Sequence, residues 1–171
     1  MVLALDPGPV KSALVLYDET VGLCHHFYAL NDWILAYLST YHAQPGDTLV
    51  IEQIASYGMP VGREVFDTCV YSGRCYQEWT RRKLLALWIT RQDVKLTLCG
   101  QARAKDANVR AALIDRFGGS QAIKKGGPLY KVAGDCWAAL GVAIAATDPH
   151  YRSAADPGKP LENKSENPGF H

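Results

Sequence analysis

Apolar positions along this chain fall into short runs closed by turn-forming residues, and the period of those runs changes from strand-like to helical and back. Val2–Leu5 is an uninterrupted apolar run that stops at Asp6 and the turn Pro7-Gly8-Pro9. Ser12–Tyr17 and Val21–Tyr28 follow, rich in Val, Leu and aromatic residues, and the link Asp18-Glu19-Thr20 between them is short enough for a hairpin. Three strands joined by links this tight predict an antiparallel meander. Helical spacing then takes over at Trp33, Ile34, Tyr37 and Leu38, behind Asn31 or Asp32 as a capping residue, and ends at Gln44-Pro45-Gly46-Asp47.

The second half alternates. Thr48–Glu52 reads as a strand that again runs from apolar sequence into a carboxylate, and residues 55–62 read as a loop from their glycines and proline. Arg63 to about Leu84 is predicted to be one long helix, with a face of small and aromatic residues at Val65, Cys69, Ser72, Gly73 and Tyr76. Leu85–Ile89 is a strand, Arg91–Leu98 a short helix closed by Gly100, and Ala104–Phe117 an amphipathic helix stopped by Gly118-Gly119. Residues 118–131 read as a mobile basic loop, and Ala133–Ala146 as an apolar helix of small residues suited to close packing on a sheet. The predicted class is α/β: a mixed five-stranded sheet, its first three strands an antiparallel meander, flanked by helices. Residues 1–148 form the expected domain. Residues 149–171 turn to Pro, Gly, Ser, Asn and charge and are expected to be a flexible polar tail.

Bulk composition adds limits. With 171 residues, 48% apolar and 20% charged, the chain suits a single domain with a real core. No apolar run has the length of a membrane span and no basic segment leads a signal-like stretch, so a cytoplasmic protein, of a bacterial or phage-infected cell, is the expectation. Five cysteines without C-x-x-C spacing read as free thiols rather than a zinc site. The net charge of +1 conceals an asymmetry. Residues 1–80 carry three basic and nine acidic side chains, whereas residues 81–131 carry twelve basic and three acidic. A basic segment beside an acidic half points to a polyanion partner near a carboxylate site, with a lysine-rich solvated surface as the plainer alternative.

Three acids stand out. Asp6 and Glu52 each end an apolar strand, and if those strands lie side by side both carboxylates emerge at one sheet edge. Such neighbours repel unless a cation joins them, and oxygen ligands favour Mg²⁺, with Mn²⁺ as a substitute. Asp135 opens the last helix amid apolar and small residues. It reads either as a helix-end charge or, with the other two, as a third metal ligand.

The segments LALDPG, VIEQ (residues 50–53) and GDCWAALGVAI (residues 134–144) resemble the RuvC-type Holliday-junction resolvases, a branch of the ribonuclease H-like superfamily. QDVKLTLCG (residues 92–100) and ARAKDANVRAAL (residues 102–113) are similar to further segments of that family in the same order, so the resemblance spans about residues 2–147. Gly127–Tyr130 resembles an insertion of phage-borne members. Two departures are visible: Ser12-Ala13 stands where the family commonly has Thr-Gly, and of the family's two acidic or acid/His positions three residues apart on the last helix only one is filled, by Asp135, with Ala138 or, in a shifted register, Val132 at the other.

The resemblance implies a metal-dependent endonuclease that resolves four-way junctions as a homodimer, with two metals roughly 3.5–4 Å apart. Asp6 would bridge them, Glu52 and Asp135 would each hold one, and Lys95 and Lys105 would neutralise phosphate. Implied DNA contacts are Tyr57 and Met59, stacking on or wedging between bases, and Arg63, Arg103, Lys124, Lys125 and Lys131 on the backbone. One or two ions per subunit and no organic cofactor or membrane partner are expected. Rival readings are a broader branched-DNA or flap nuclease, and a catalytically weak junction-binding protein. An actin-like or sugar-kinase reading needs two such domains and is disfavoured by length.

Overall fold

The computed structural model describes residues 1–56, 58 and 60–149. Five strands form one sheet: β1 (Val2–Asp6), β2 (Lys11–Asp18), β3 (Gly22–Leu30), β4 (Thr48–Gln53) and β5 (Leu85–Thr90). Their spatial order is β3-β2-β1-β4-β5. The first three are antiparallel neighbours, and β4 and β5 run parallel to β1. The helices are α1 (Asn31–Thr40), α2 (Arg63–Thr80), α3 (Arg91–Cys99), α4 (Asp106–Arg116) and α5 (Cys136–Thr147), with a 3₁₀ turn at Gly119–Gln121. The mixed α/β sheet expected from the sequence is therefore present. No helix among the described residues is long and apolar enough to cross a membrane.

Strand residues alternate between two faces, and each face is buried by different helices. Leu3, Leu5, Leu14, Leu49 and Ile51 pack with Ile34 and Leu38 of α1 and with Tyr71, Cys75 and Trp79 of α2. Val2, Ala4, Ala13, Val15 and Val50 pack with Val94 of α3, Val109 and Leu113 of α4, and Leu140, Ala143 and Ile144 of α5. Small residues on both sides of that second layer let α5 lie close across β1 and β2. The parity continues past the apolar runs: Asp6 follows Ala4 and Glu52 follows Val50, so both carboxylates belong to the α5 face.

Several expectations need correction. The long helix stops at Thr80, not near Leu84, because Arg81–Lys83 form a turn that ends with Lys83 in the left-handed region at φ 59°. The small-residue face expected on it does not hold together: Ser72 is buried, whereas Cys69 and Gly73 are exposed. The last helix starts at Cys136 rather than Ala133. Residues 118–131 form successive hydrogen-bonded turns, pinned by buried Ala122 and Leu129 and by the bond from Leu129 N–H to the Ala122 carbonyl at 2.8 Å. Two apolar anchors sufficed, and the glycine-and-lysine composition hid them. All five thiols are free, with Cys75 and Cys136 buried and Cys69 exposed. Apart from position 149, the expected tail lies outside the described residues.

Candidate active site

The site is built where β1, β4 and β5 end. In parallel register Leu5 faces Ile51, and Glu52 faces Ile89. The next residue of β1, Asp6, therefore comes level with Glu52, and the residue that leaves β5, Arg91, arrives at the same rim. Asp6, Pro7, Glu52 and Arg91 line one cleft of about 200 Å³ with Gln53 and Ala55. A cleft of this size, open to solvent, has room for a divalent ion with some of its waters.

Asp6 is held by a turn with its own hydrogen-bond network. Gly8 N–H donates to Ser12 Oγ at 3.1 Å, Ser12 Oγ donates to Asn31 Oδ1 at 2.7 Å, and Asn31 Nδ2 donates to the Gly8 carbonyl at 2.9 Å. Asn31 N–H also donates to the Val10 carbonyl at 3.0 Å. This corrects the expected capping role of Asn31 or Asp32. No side chain caps α1, and the Asn31 amide instead ties the start of α1 to the turn behind Asp6. Ser12 is buried, so Ser12→Ala leaves two polar groups short of a partner and is expected to cost about 1–2 kcal/mol. Asn31→Ala is expected to cost a similar amount. The double variant should cost less than the sum in urea melts, because both remove one network.

Electrostatics at the rim are strained by burial. The Asp6 carboxyl is pushed up to about 7, first by desolvation and then by the nearby Glu52 carboxylate, with smaller upward pushes from Asp135 and Asp106 and a downward pull from Arg91. Glu52 is also raised, chiefly by burial, against the downward pull of Arg91. Asp135 is exposed at the N-terminal end of α5 and its side chain makes no capping hydrogen bond. The helix-end charge reading, which needs no hydrogen bond, fits this position, and Asp135 also lies within electrostatic reach of Asp6.

Two residues that the sequence did not single out complete the rim. Arg91 Nη1 lies 3.1 Å from Glu52 Oε2, and Arg91 Nη2 lies 3.0 Å from Asp106 Oδ1. Lys95 Nζ shares the same Asp106 oxygen at 3.1 Å. Lys95 is thus joined to the carboxylate rim through Asp106. Lys105 and Arg103 are exposed just before α4, next to Asp106 in the chain. Arg91 could have been found from the predicted sheet: strands parallel to one another deliver their C-terminal ends, and the residues that follow, to one edge.

The remaining candidates are spread more widely. Lys124, Lys125 and Lys131 are exposed on the turns that follow α4, with Lys131 Nζ 5.6 Å from the centre of the Tyr130 ring. Arg63 is exposed at the start of α2 and pairs with Asp67 one turn on, at 3.6 Å. Tyr57 and Met59 lie outside the described residues.

Among the described residues, no group of three or more carboxylate, imidazole or thiol side chains stands close enough together to hold a metal by itself. Mg²⁺ seldom uses such a cage. It is commonly held by one or two carboxylates, retained waters and substrate phosphate. Asp6 and Glu52, sharing one cleft with oxygen donors only, fit that pattern, and the upward push on Asp6 is what a bound cation would relieve.

A three-strand meander continued by two parallel strands, with Asp6 ending β1, Glu52 one residue before the end of β4 and a helix laid across them, is the arrangement of a ribonuclease H-like fold. No family model and no curated protein matches the chain. Among solved structures, the Thermus thermophilus RuvC structure is similar with TM-score 0.61 and 15% identity, over 84% of this chain and 91% of that one. T. thermophilus RuvC in complex with Holliday junction substrate is similar with TM-score 0.65 and 14% identity, over 90% and 96%. The chain has the RuvC type of ribonuclease H-like fold.

Proposed function

We propose that this chain is a Mg²⁺-dependent endodeoxyribonuclease that resolves four-way DNA junctions by paired phosphodiester hydrolysis, in the cytoplasm of a bacterial or phage-infected cell. The observation that carries the reading is the sharing of one cleft by Asp6 and Glu52 at the ends of adjacent parallel strands. It is supported by the likeness to a RuvC solved with a Holliday junction. Mn²⁺ is the expected substitute ion.

Asp6 and Glu52 would hold the ion, and Asp135 would join them from the end of α5. When bound, the metal supplies Lewis acidity toward the phosphate and the means to acidify a water. The chain's own groups do the rest. The Pro7-Gly8 turn fixes the Asp6 carboxylate before substrate arrives, so little reorganisation remains during reaction. Lys95, anchored by Asp106, places a positive charge beside the rim for the phosphate, and Lys105 and Arg103 continue that charge outward. Lys124, Lys125 and Lys131 extend it along the DNA backbone, where contacts position the duplex without reading its sequence.

A four-way junction is two-fold symmetric, so paired cuts call for two copies of the site. The exposed face of α2 offers Phe66, Val70 and Gly73 at helical spacing, with Phe66 and Val70 about two-thirds exposed at 60% and 67%. We propose that a second copy covers this face. Val70→Asp is expected to convert a dimer to a monomer in sedimentation velocity without changing the far-UV spectrum. An unchanged dimer would place the interface elsewhere.

The function is tested with synthetic four-way, three-way, flap and duplex DNA in Mg²⁺. Cleavage of the four-way junction at symmetric positions, well ahead of the others, is the expected result. Equal cleavage of flaps would mean a broader branched-DNA nuclease. Tight junction binding without cleavage would mean a binding protein, a reading that Ala138 in place of a second acid on α5 favours.

A further inference from the structure

We infer that Arg91 is a resident counter-ion of the carboxylate rim, occupying Glu52 until a divalent cation displaces it. The inference rests on the metal-site reading above and assigns a role in it to a residue outside the carboxylate set.

Arg91 is the first residue of α3, directly after β5, and its guanidinium lines the same cleft as Asp6 and Glu52. Both ends of the fork are engaged, one on Glu52 of β4 at 3.1 Å and the other on Asp106 of α4 at 3.0 Å. Its side chain is only 23% exposed and that of Glu52 only 15%, so the pair is poorly screened by water. A divalent ion approaching Glu52 therefore meets a positive charge already on one carboxylate oxygen, and like charges this close oppose each other strongly.

The network is arranged so that Arg91 can let go of Glu52 at low cost. Asp106 keeps two cations, because Lys95 Nζ holds the same oxygen at 3.1 Å. The guanidinium stays tethered to Asp106 through its other nitrogen. Glu52, in turn, exchanges one cation for another and is never left as an unpaired buried charge, the state that costs most. Before the exchange Glu52 and Asp106 face Arg91 and Lys95; after it the metal is a third cation, and each carboxylate still has a positive partner. Arg91 consequently lowers the affinity of the site for metal while keeping the metal-free rim assembled.

The direction of this effect separates it from a purely structural role. A clamp that merely shapes the site would weaken metal binding when removed; a competing cation would strengthen it. Mn²⁺ binding is measured by isothermal titration calorimetry at pH 8.5 on the wild type, Arg91→Gln, Arg91→Met, Arg91→Lys and Asp6→Asn. Both neutral variants are expected to bind Mn²⁺ on the order of tenfold more tightly than wild type. Arg91→Lys, which keeps the charge, should stay within about threefold, an effect below 1 kcal/mol. The Mg²⁺ concentration for half-maximal junction cleavage should fall in parallel in the neutral variants. Equal or weaker Mn²⁺ binding by whichever neutral variant remains folded overturns the role of Arg91. Wild type that takes up no Mn²⁺, or Asp6→Asn that binds as well as wild type, overturns the metal-site reading instead and this inference with it.

Discussion

Asp6→Asn should abolish Mg²⁺-dependent junction cleavage, by at least about 10²–10³-fold, the loss seen when one preorganised electrostatic group is removed from a reacting centre. The same variant should be more stable than wild type in EDTA at pH 8. The sign follows from burial. The Asp6 carboxyl titrates near its ordinary value of 3.8 in the unfolded chain but near about 7 in the fold. Below about pH 4 it is neutral in both states and costs nothing. Between about pH 4 and pH 7 the unfolded chain ionises first, so the fold loses stability as pH rises. Above pH 7 the full cost is in place, up to about 4 kcal/mol from a difference of this size. Asn carries no charge and escapes the cost. Thermal melts of wild type and Asp6→Asn in EDTA are therefore expected to separate as pH rises from 4 to 8, with the variant higher. Added Mg²⁺ should raise the wild-type midpoint and leave the variant unmoved. Loss of cleavage without the pH-dependent gap would mean that Asp6 acts but is not strained. Retained cleavage would mean that the active centre lies elsewhere.

How far the sequence anticipates this site depends on whether a residue's partners are local. Asp6 and Glu52 were legible because each interrupts an apolar run at the end of a strand, a signal contained in six residues. The strand and helix order was legible for the same reason: period and turn residues are local properties. Arg91 and Asp106 were not. Arg91 meets Glu52, 39 positions earlier in the chain, a contact created by β5 lying beside β4. Asn31 looked like a cap because caps are short polar residues before a helix. The Ser12 hydroxyl, 19 residues earlier, donates to the Asn31 Oδ1 in place of an α1 backbone N–H, and the Asn31 Nδ2 donates to the Gly8 carbonyl. The turns over 118–131 were hidden for a related reason: Ala122 and Leu129 are buried in the core that also holds Val109, Leu113 and the α5 residues, and composition alone shows only glycine and lysine. Sequence similarity is equally faint, at 14–15% identity to structures that share the fold. What is shared is the fold, whose backbone path decides which side chains can meet.

That rim depends most on one atom that is absent. Gly8→Ala is expected to lower the melting midpoint by about 10 °C and to cut cleavage by about 10²-fold at temperatures where the protein remains folded. A Cβ built on Gly8 would stand 2.3 Å from the Lys11 carbonyl oxygen, a backbone atom at the start of β2. No rotamer change relieves that contact. Either the turn opens or β2 shifts, and each disturbs the Gly8–Ser12–Asn31 network. A cost of about 3 kcal/mol, at the upper end for overpacking, corresponds to the stated midpoint shift for a domain of this size. Activity should fall further than stability explains, because Asp6 is two residues away and a displacement of about 1 Å at a reacting centre costs about 10²-fold. Gly141→Ala is the control. The atoms nearest its Cβ would be in the side chains of Val94, Val109 and Leu98, at 3.3–3.5 Å, in the interior of α5. Those side chains can yield by tenths of an ångström, and Ala gains about 1 kcal/mol of helix propensity over Gly, so near-neutral stability and full cleavage are expected. If Gly8→Ala behaves like Gly141→Ala, the turn is not what holds the Asp6 carboxylate in place.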